Sequence, residues 1–251
     1  ESKLNALQKI VSMCDLTTLE GEDTEGKIIQ MSSKAIAPDP NDESVPSAAA
    51  VCVYPALVST AKKTVKDSSV KVASVSSYFP SGQAPIESKI SDTKFAINEG
   101  ADEIDIVINR KAFFEGDYKK VYEEIKSLKD VCGDIHLKTI LEIGELKTYE
   151  NIKKASVIAL CAGSDFIKTS TGKISNGSSR EACLVMARTV REFQSYGYGM
   201  RGIKVAGGIR SSKDAIRYLV IINEELGSSW LSPDYFRSVS YTHLTLPTMD
   251  S

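Results

Sequence analysis

Residues 163–168 read Gly-Ser-Asp-Phe-Ile-Lys, and residues 100–105 read Gly-Ala-Asp-Glu-Ile-Asp. The two hexapeptides superpose as a helix-ending glycine, a small residue, Asp, any residue, Ile and then a charge. Side chains alternate across a strand, so equal offsets from the strand start place Asp105 and Lys168 on the same face of one sheet. Ile135-His136-Leu137-Lys138 and Arg201-Gly202-Ile203-Lys204 are built alike, each setting a lysine deep in an apolar strand. One acid and three amines at matching depth do not read as a solvated surface.

Outward from these segments, apolar β-branched runs recur at Cys14 to Leu19, Ala49 to Tyr54, Lys71 to Ser77, Glu103 to Asn109, Ile135 to Glu142, Phe166 to Thr171 and Gly202 to Ala206. Each predicts a strand. Between them, Asp117 predicts the cap of a helix ending near Gly133, and Thr148 that of one ending near Gly163. Ser211 with Asp214 forms a capping box for a helix ending near Gly227. From Glu103 onward the repeat is roughly thirty residues, the period of strands alternating with helices in a parallel sheet. Eight such units close a (β/α)8 TIM barrel, with catalytic groups on the C-terminal halves of the strands. An open doubly wound sheet is the competitor, but the continuous repeat without a Rossmann glycine fingerprint favours the barrel. Pro38 to Pro46, acidic and proline-rich, reads as a surface loop rather than a domain boundary.

Composition narrows the function. A chain of 251 residues with 42% apolar side chains fits one domain of barrel size. Its formal charge of −2 gives no support for nucleic acid or an anionic membrane as partner. No apolar run approaches the length of a membrane span. The five cysteines lack CxxC spacing and read as free thiols in a reducing, cytoplasmic compartment. His136 and His243 are the two histidines, so a His-rich metal site is not expected.

The segment Phe166 to Lys173, FIKTSTGK, carries the chemistry. A buried ammonium costs several kcal/mol unless it is paired or sheds its proton. Two readings follow. Lys168 is either half of a buried ion pair without catalytic role, or an amine whose pKa is lowered so that it attacks a carbonyl. The second requires a shift of about 3 units from about 10.4, roughly 4 kcal/mol against the ammonium. Burial supplies part of this, and Lys204, one strand along in a barrel, is placed to supply more as a second cation. Asp105 then holds Lys204 charged and relays protons. In GIKVAGGIR, Gly202 to Arg210, the amides of Gly207 and Gly208 precede a helix and Arg210 adds a positive fork. With Thr171, Gly172 and Lys173 they form an anion cradle suited to a phosphate.

DLTTL at Asp15 to Leu19, AAVCVYP at Ala49 to Pro55, GADEIDIVIN at Gly100 to Asn109, FIKTSTGK and GIKVAGGIR together resemble the deoxyribose-phosphate aldolase family. The resemblance runs in order over most of the chain. It implies a class I aldolase that reversibly joins acetaldehyde and glyceraldehyde 3-phosphate into 2-deoxyribose 5-phosphate, without metal or organic cofactor. By motif, Lys168 forms the Schiff base, Lys204 tunes it and Asp105 completes the proton relay. Thr171, Gly172, Lys173, Gly207, Gly208 and Arg210 lie toward the phosphate, and Lys138, in HLKTILEIGEL, has a supporting role. The implied partners are small sugar phosphates and aldehydes, with no nucleic acid or membrane and a homodimer as candidate assembly. A non-catalytic sugar-phosphate-binding barrel is the alternative.

One region departs from the family. After Arg237 the family continues with a residue, then Gly-Ala-Ser and a final helix, whereas this chain reads SVSYTHLTLPTMDS from Ser238 to Ser251. The expectation is therefore a barrel domain over residues 1–237 and a non-native-looking tail over 238–251, with the eighth strand and the C-terminal helix altered or missing. Either Val239 and its neighbours pair as a substitute strand, or the barrel keeps an open edge.

Overall fold

The computed structural model describes residues 2–175, 177–207, 209 and 211–241. In chain order the elements are α1 Ser2–Ser12, β1 Cys14–Thr17, α2 Glu25–Ile36, β2 Ala50–Val53, α3 Val58–Thr64, β3 Lys71–Val75, α4 Ile86–Asn98, β4 Glu103–Val107, α5 Arg110–Phe114 and α6 Tyr118–Cys132. There follow β5 His136–Ile140, α7 Ile143–Leu146, α8 Tyr149–Cys161, β6 Phe166–Lys168, α9 Arg180–Ser195, β7 Gly202–Val205, α10 Ser212–Leu226 and β8 Phe236–Tyr241. The strands pair in parallel in sequence order and β8 pairs back to β1, so the sheet closes into a barrel.

The helix punctuation works as side-chain chemistry requires. Asp117, Thr148 and Ser211 each accept a hydrogen bond from the backbone N–H three residues on, satisfying an amide the helix cannot. Gly227 ends α10 at φ +92°, where a side chain would be strained. The acidic loop before β2 is irregular, with Asp39 and Asp42 accepting from the N–H groups of Asn41 and Ser44.

Strand alternation divides the buried residues into two sets. Leu16, Val51, Val72, Ile104, Leu137, Ile167, Ile203 and Phe236 pack outward against the helices in one continuous core, each worth about 1.5–3 kcal/mol of burial. Their neighbours face the barrel interior. There Leu19, Cys52, Ala73 and Val75 make a small apolar cluster with Tyr54 and Phe79, and beside it stands a cluster of buried charged side chains. Gly202, opposite Phe166 in the register, is a glycine because a Cβ there would stand 2.3 Å from the Phe166 ring.

The expectation of an altered or missing eighth strand is corrected by the structure, in which eight strands are present among the described residues. β8 takes in Ser238 to Tyr241, so the boundary drawn after Arg237 falls inside a strand. Ser238 N donates to Met13 O at 2.9 Å and Val239 stands opposite Asp15. Pairing needs only backbone N–H and C=O groups and an alternating pattern, which Ser-Val-Ser-Tyr supplies without the family's Gly-Ala-Ser. The expected change in the C-terminal helix lies outside the described residues.

Candidate active site

The third residue of β4, β5, β6 and β7 is Asp105, Lys138, Lys168 and Lys204 respectively. All four are buried inside the barrel. The structure therefore brings together the three residues predicted to act on the carbonyl. Asp105 Oδ2 accepts from Lys168 Nζ at 2.7 Å and from Lys204 Nζ at 2.9 Å, while Oδ1 accepts from Lys138 Nζ at 3.0 Å.

Three further charged groups complete the cluster, and sequence reasoning passed over each. Asp15 of β1 pairs with Lys204 Nζ at 2.5 Å and with Arg237 of β8 at 2.7 Å. Glu103 of β4 pairs with Lys138 Nζ at 2.5 Å and with Arg237 at 2.7 Å. The guanidinium also donates from Nε to Pro233 O, and its face lies near the Phe166 ring, 5.9 Å from the centroid. Cys52 faces the same interior, and burial raises its thiol pKa. Asp15 opens the DLTTL motif and Glu103 sits in GADEIDIVIN, so both were in segments already singled out.

The electrostatics distinguish the three lysines. Burial opposes charge on all of them. For Lys204, Asp105 and Asp15 outweigh burial and hold the pKa well above its ordinary value. For Lys138, Asp105 and Glu103 do the same. For Lys168 burial prevails: Asp105 offsets it in part, Lys204 adds to it, and the pKa falls below the ordinary lysine value. Burial would raise Asp105, but Lys138, Lys168 and Lys204 hold it well below the usual carboxylate range. The site thus presents one amine poised to lose a proton beside a carboxylate that keeps its charge. That pairing suits nucleophilic attack on a carbonyl followed by stabilisation of a cationic nitrogen.

The predicted anion cradle lies at the C-terminal rim. Gly172 and Gly207 both take positive φ, +80° and +77°. A Cβ on Gly207 would stand 3.0 Å from Gly177 Cα, so the loops after β6 and β7 touch there. Lys173 Nζ is paired with Glu20, beyond β1, at 2.9 Å. Thr171 donates from N and Oγ1 to the buried carboxylate of Glu142, at 3.2 and 2.5 Å. Glu20 and Glu142 were not anticipated. Gly208 and Arg210 lie outside the described residues. Ser77 and Ser170, at the ends of β3 and β6, each bury a hydroxyl with no hydrogen-bond partner among the described residues.

Comparison with known proteins places this site in a family. The family model described as DeoC/LacD family aldolase matches residues 9–223. The human protein named deoxyribose-phosphate aldolase is 43% identical over 250 residues, covering 95% of this chain and 78% of the human one. The mouse protein of the same name is 42% identical, covering 92% of this chain and 76% of its own. A solved structure of deoxyribose phosphate aldolase from Aeropyrum pernix superposes with a TM-score of 0.73, covering 95% of this chain and 89% of that one. At 24% identity that likeness speaks for the barrel alone. The match over residues 9–223, joined to the extent and identity of the curated relatives, means that the chain belongs to the DeoC/LacD aldolase family.

Proposed function

We propose that the chain reversibly cleaves 2-deoxy-D-ribose 5-phosphate into acetaldehyde and D-glyceraldehyde 3-phosphate through a Schiff base on Lys168. One observation carries the reading. Lys168 Nζ is buried, its pKa is lowered, and Asp105 is its one ion-pair partner among the described residues. The names of the human and mouse relatives support the substrate.

In this reading the neutral Nζ attacks C1 of the open-chain sugar. The carbinolamine takes up a proton and loses water to give an iminium, whose charge Asp105 stabilises across the contact it already makes to Nζ. The C2–C3 bond then breaks. Its electron pair passes into an enamine, the C3 hydroxyl gives up its proton and glyceraldehyde 3-phosphate leaves. Protonation of the enamine at C2 and hydrolysis of the resulting iminium release acetaldehyde and restore the amine. Lys204 and Asp105, in contact with each other, are the groups proposed to move these protons. Thr171, Gly172, Lys173, Gly207, Gly208 and Arg210 are proposed to face the phosphate. Lys173 would exchange Glu20 for the phosphate oxygens. The unpaired state of all five thiols supports a reducing cytoplasm as the setting.

Borohydride reduction in the presence of acetaldehyde or the sugar phosphate tests the assignment and is expected to add mass at Lys168. Lys168→Ala is expected to abolish aldehyde release. Absence of an adduct under conditions that label a control aldolase, or a ligand-dependent rise in melting temperature without turnover, would refute it.

A further inference from the structure

The ion pairs inside the barrel form a closed figure. Arg237 bridges Asp15 and Glu103, Lys138 bridges Glu103 and Asp105, and Lys204 bridges Asp105 and Asp15. Three carboxylates and three cations thus alternate around a ring drawn from β1, β4, β5, β7 and β8, with every member at most 1% exposed. The ring is electrically neutral by itself. Lys168 of β6 stands outside it and touches one ring member, Asp105.

We propose that Arg237 and Glu103 are positioning residues for the reaction at Lys168: by closing the ring, they leave Lys168 as the one buried amine among the described residues with no carboxylate of its own. The inference rests on the reading of Lys168 as the nucleophile. A charge removed from water needs a partner of opposite sign. With the ring intact each carboxylate already bridges two cations, and a proton on Lys168 is surplus. Without the Arg237 guanidinium, Asp15 and Glu103 each lose a partner, the ring carries one net negative charge and the interior accepts a proton on Lys168. Without the Glu103 charge the cations are in excess and the proton on Lys168 is disfavoured further.

Other charged and titratable groups face this cluster. Cys52 of β2 adjoins Lys168 and Lys204, and its raised thiol pKa keeps it uncharged near neutrality. Cys14 adjoins Asp15, bonds to Ser238 Oγ at 3.3 Å and has its pKa raised to about 11. Lys71 reaches Glu103 at 3.7 Å from a side chain that is 41% exposed, so water screens it. Half-buried His136 interacts with Glu103, and burial lowers its pKa, leaving it neutral.

The experiment is the pH dependence of Lys168 trapping by acetaldehyde and cyanoborohydride, read as mass added at that residue. It compares the unsubstituted chain with Arg237→Met, Arg237→Lys, Glu103→Gln and the double variant Arg237→Met/Glu103→Gln. Arg237→Met is expected to move the midpoint up by about one pH unit, a roughly tenfold slower trapping on the acid side. Glu103→Gln is expected to move it down, Arg237→Lys to leave it in place, and the double variant, short one charge of each sign, to return it toward the starting value. If Arg237→Met does not fold, the downward shift in Glu103→Gln and its reversal in the double variant decide the matter. Midpoints that coincide with that of the unsubstituted chain, while that chain still traps at Lys168, would overturn the ring's role and leave the Schiff base standing. No label at Lys168 in the unsubstituted chain would strike the Schiff-base reading itself.

Discussion

Replacing Lys204 with Met isolates the part of the Lys168 shift that comes from a neighbouring cation. Both amines donate to Asp105 Oδ2, at 2.7 and 2.9 Å, which sets their nitrogens roughly 5 Å apart by ordinary hydrogen-bond geometry. At that separation and an effective dielectric of about 20, two positive charges repel by about 3 kcal/mol, equivalent to about 2 pKa units. Lys168 is nucleophilic only above its pKa. Loss of the cation raises that pKa, and Asp105, then shared by one cation fewer, pulls in the same direction. The acid limb of imine trapping is therefore expected about 2 pH units higher, with trapping slowed roughly 100-fold at a pH well down that limb. Activity should return as pH rises through the new value. Lys204→Arg, which keeps the charge, should leave the limb in place. A limb unmoved in Lys204→Met, with circular dichroism unchanged, would mean that burial alone sets the nucleophile.

Lys168→Met should abolish turnover and raise the melting temperature by roughly 2–4 °C, about 1 kcal/mol. The folded chain binds a proton at Lys168 less tightly than the unfolded chain does, a linkage cost that Met removes. A lower melting temperature by calorimetry would refute this. Gly202→Ala drives a Cβ to 2.3 Å from Phe166 Cε1 and should cost about 1–3 kcal/mol in urea unfolding, recovered in part by Phe166→Leu; an unchanged midpoint would show that the ring moves freely. Ending the chain after Arg237 removes the residues that pair with Cys14 to Thr17 and should leave an aggregating open barrel in place of cooperative unfolding; a soluble, equally stable product would contradict closure through β8.

Some of the site was legible because strand alternation is a strict rule. Asp105, Lys138, Lys168 and Lys204 share an offset from their strand starts, and that offset put all four in the interior. The ring was not legible for a geometric reason. Adjacent strands are sheared, so Lys138 lies opposite Phe166, and Lys168 opposite Ile140 and Lys204. Equal offsets then give the same face but not the same height. Glu103 reaches Lys138 diagonally across the adjacent β4–β5 pair, and Asp15 reaches Lys204 only because the barrel closes through β8. Arg237 was hidden by the altered letters after it, although pairing to β1 depends on backbone groups those letters do not change. Lys173 was legible as a phosphate candidate, whereas its present partner Glu20 lies 153 residues away in sequence.

Lowering the pKa of an amine is not sufficient for Schiff-base chemistry, because an environment hostile to the ammonium is hostile to the iminium as well. Hydrogen-bond capacity separates the two. An ammonium carries three N–H donors and a protonated imine carries one. Among the described residues, Lys168 Nζ finds one acceptor, Asp105 Oδ2. The ammonium is left with donors unmet in a buried site, whereas the iminium is fully satisfied. Asp105→Asn should therefore act in two directions. Loss of the carboxylate removes the charge that holds a proton on Lys168, so the acid limb of trapping moves to lower pH. The iminium loses a charge-assisted hydrogen bond worth about 1.5–3 kcal/mol, so the plateau rate falls by roughly 10- to 100-fold. The measurement is trapping rate against pH at saturating acetaldehyde. A plateau that stays level while the limb moves would show that Asp105 serves only to set protonation, and a limb that moves up would contradict the assignment of its charge.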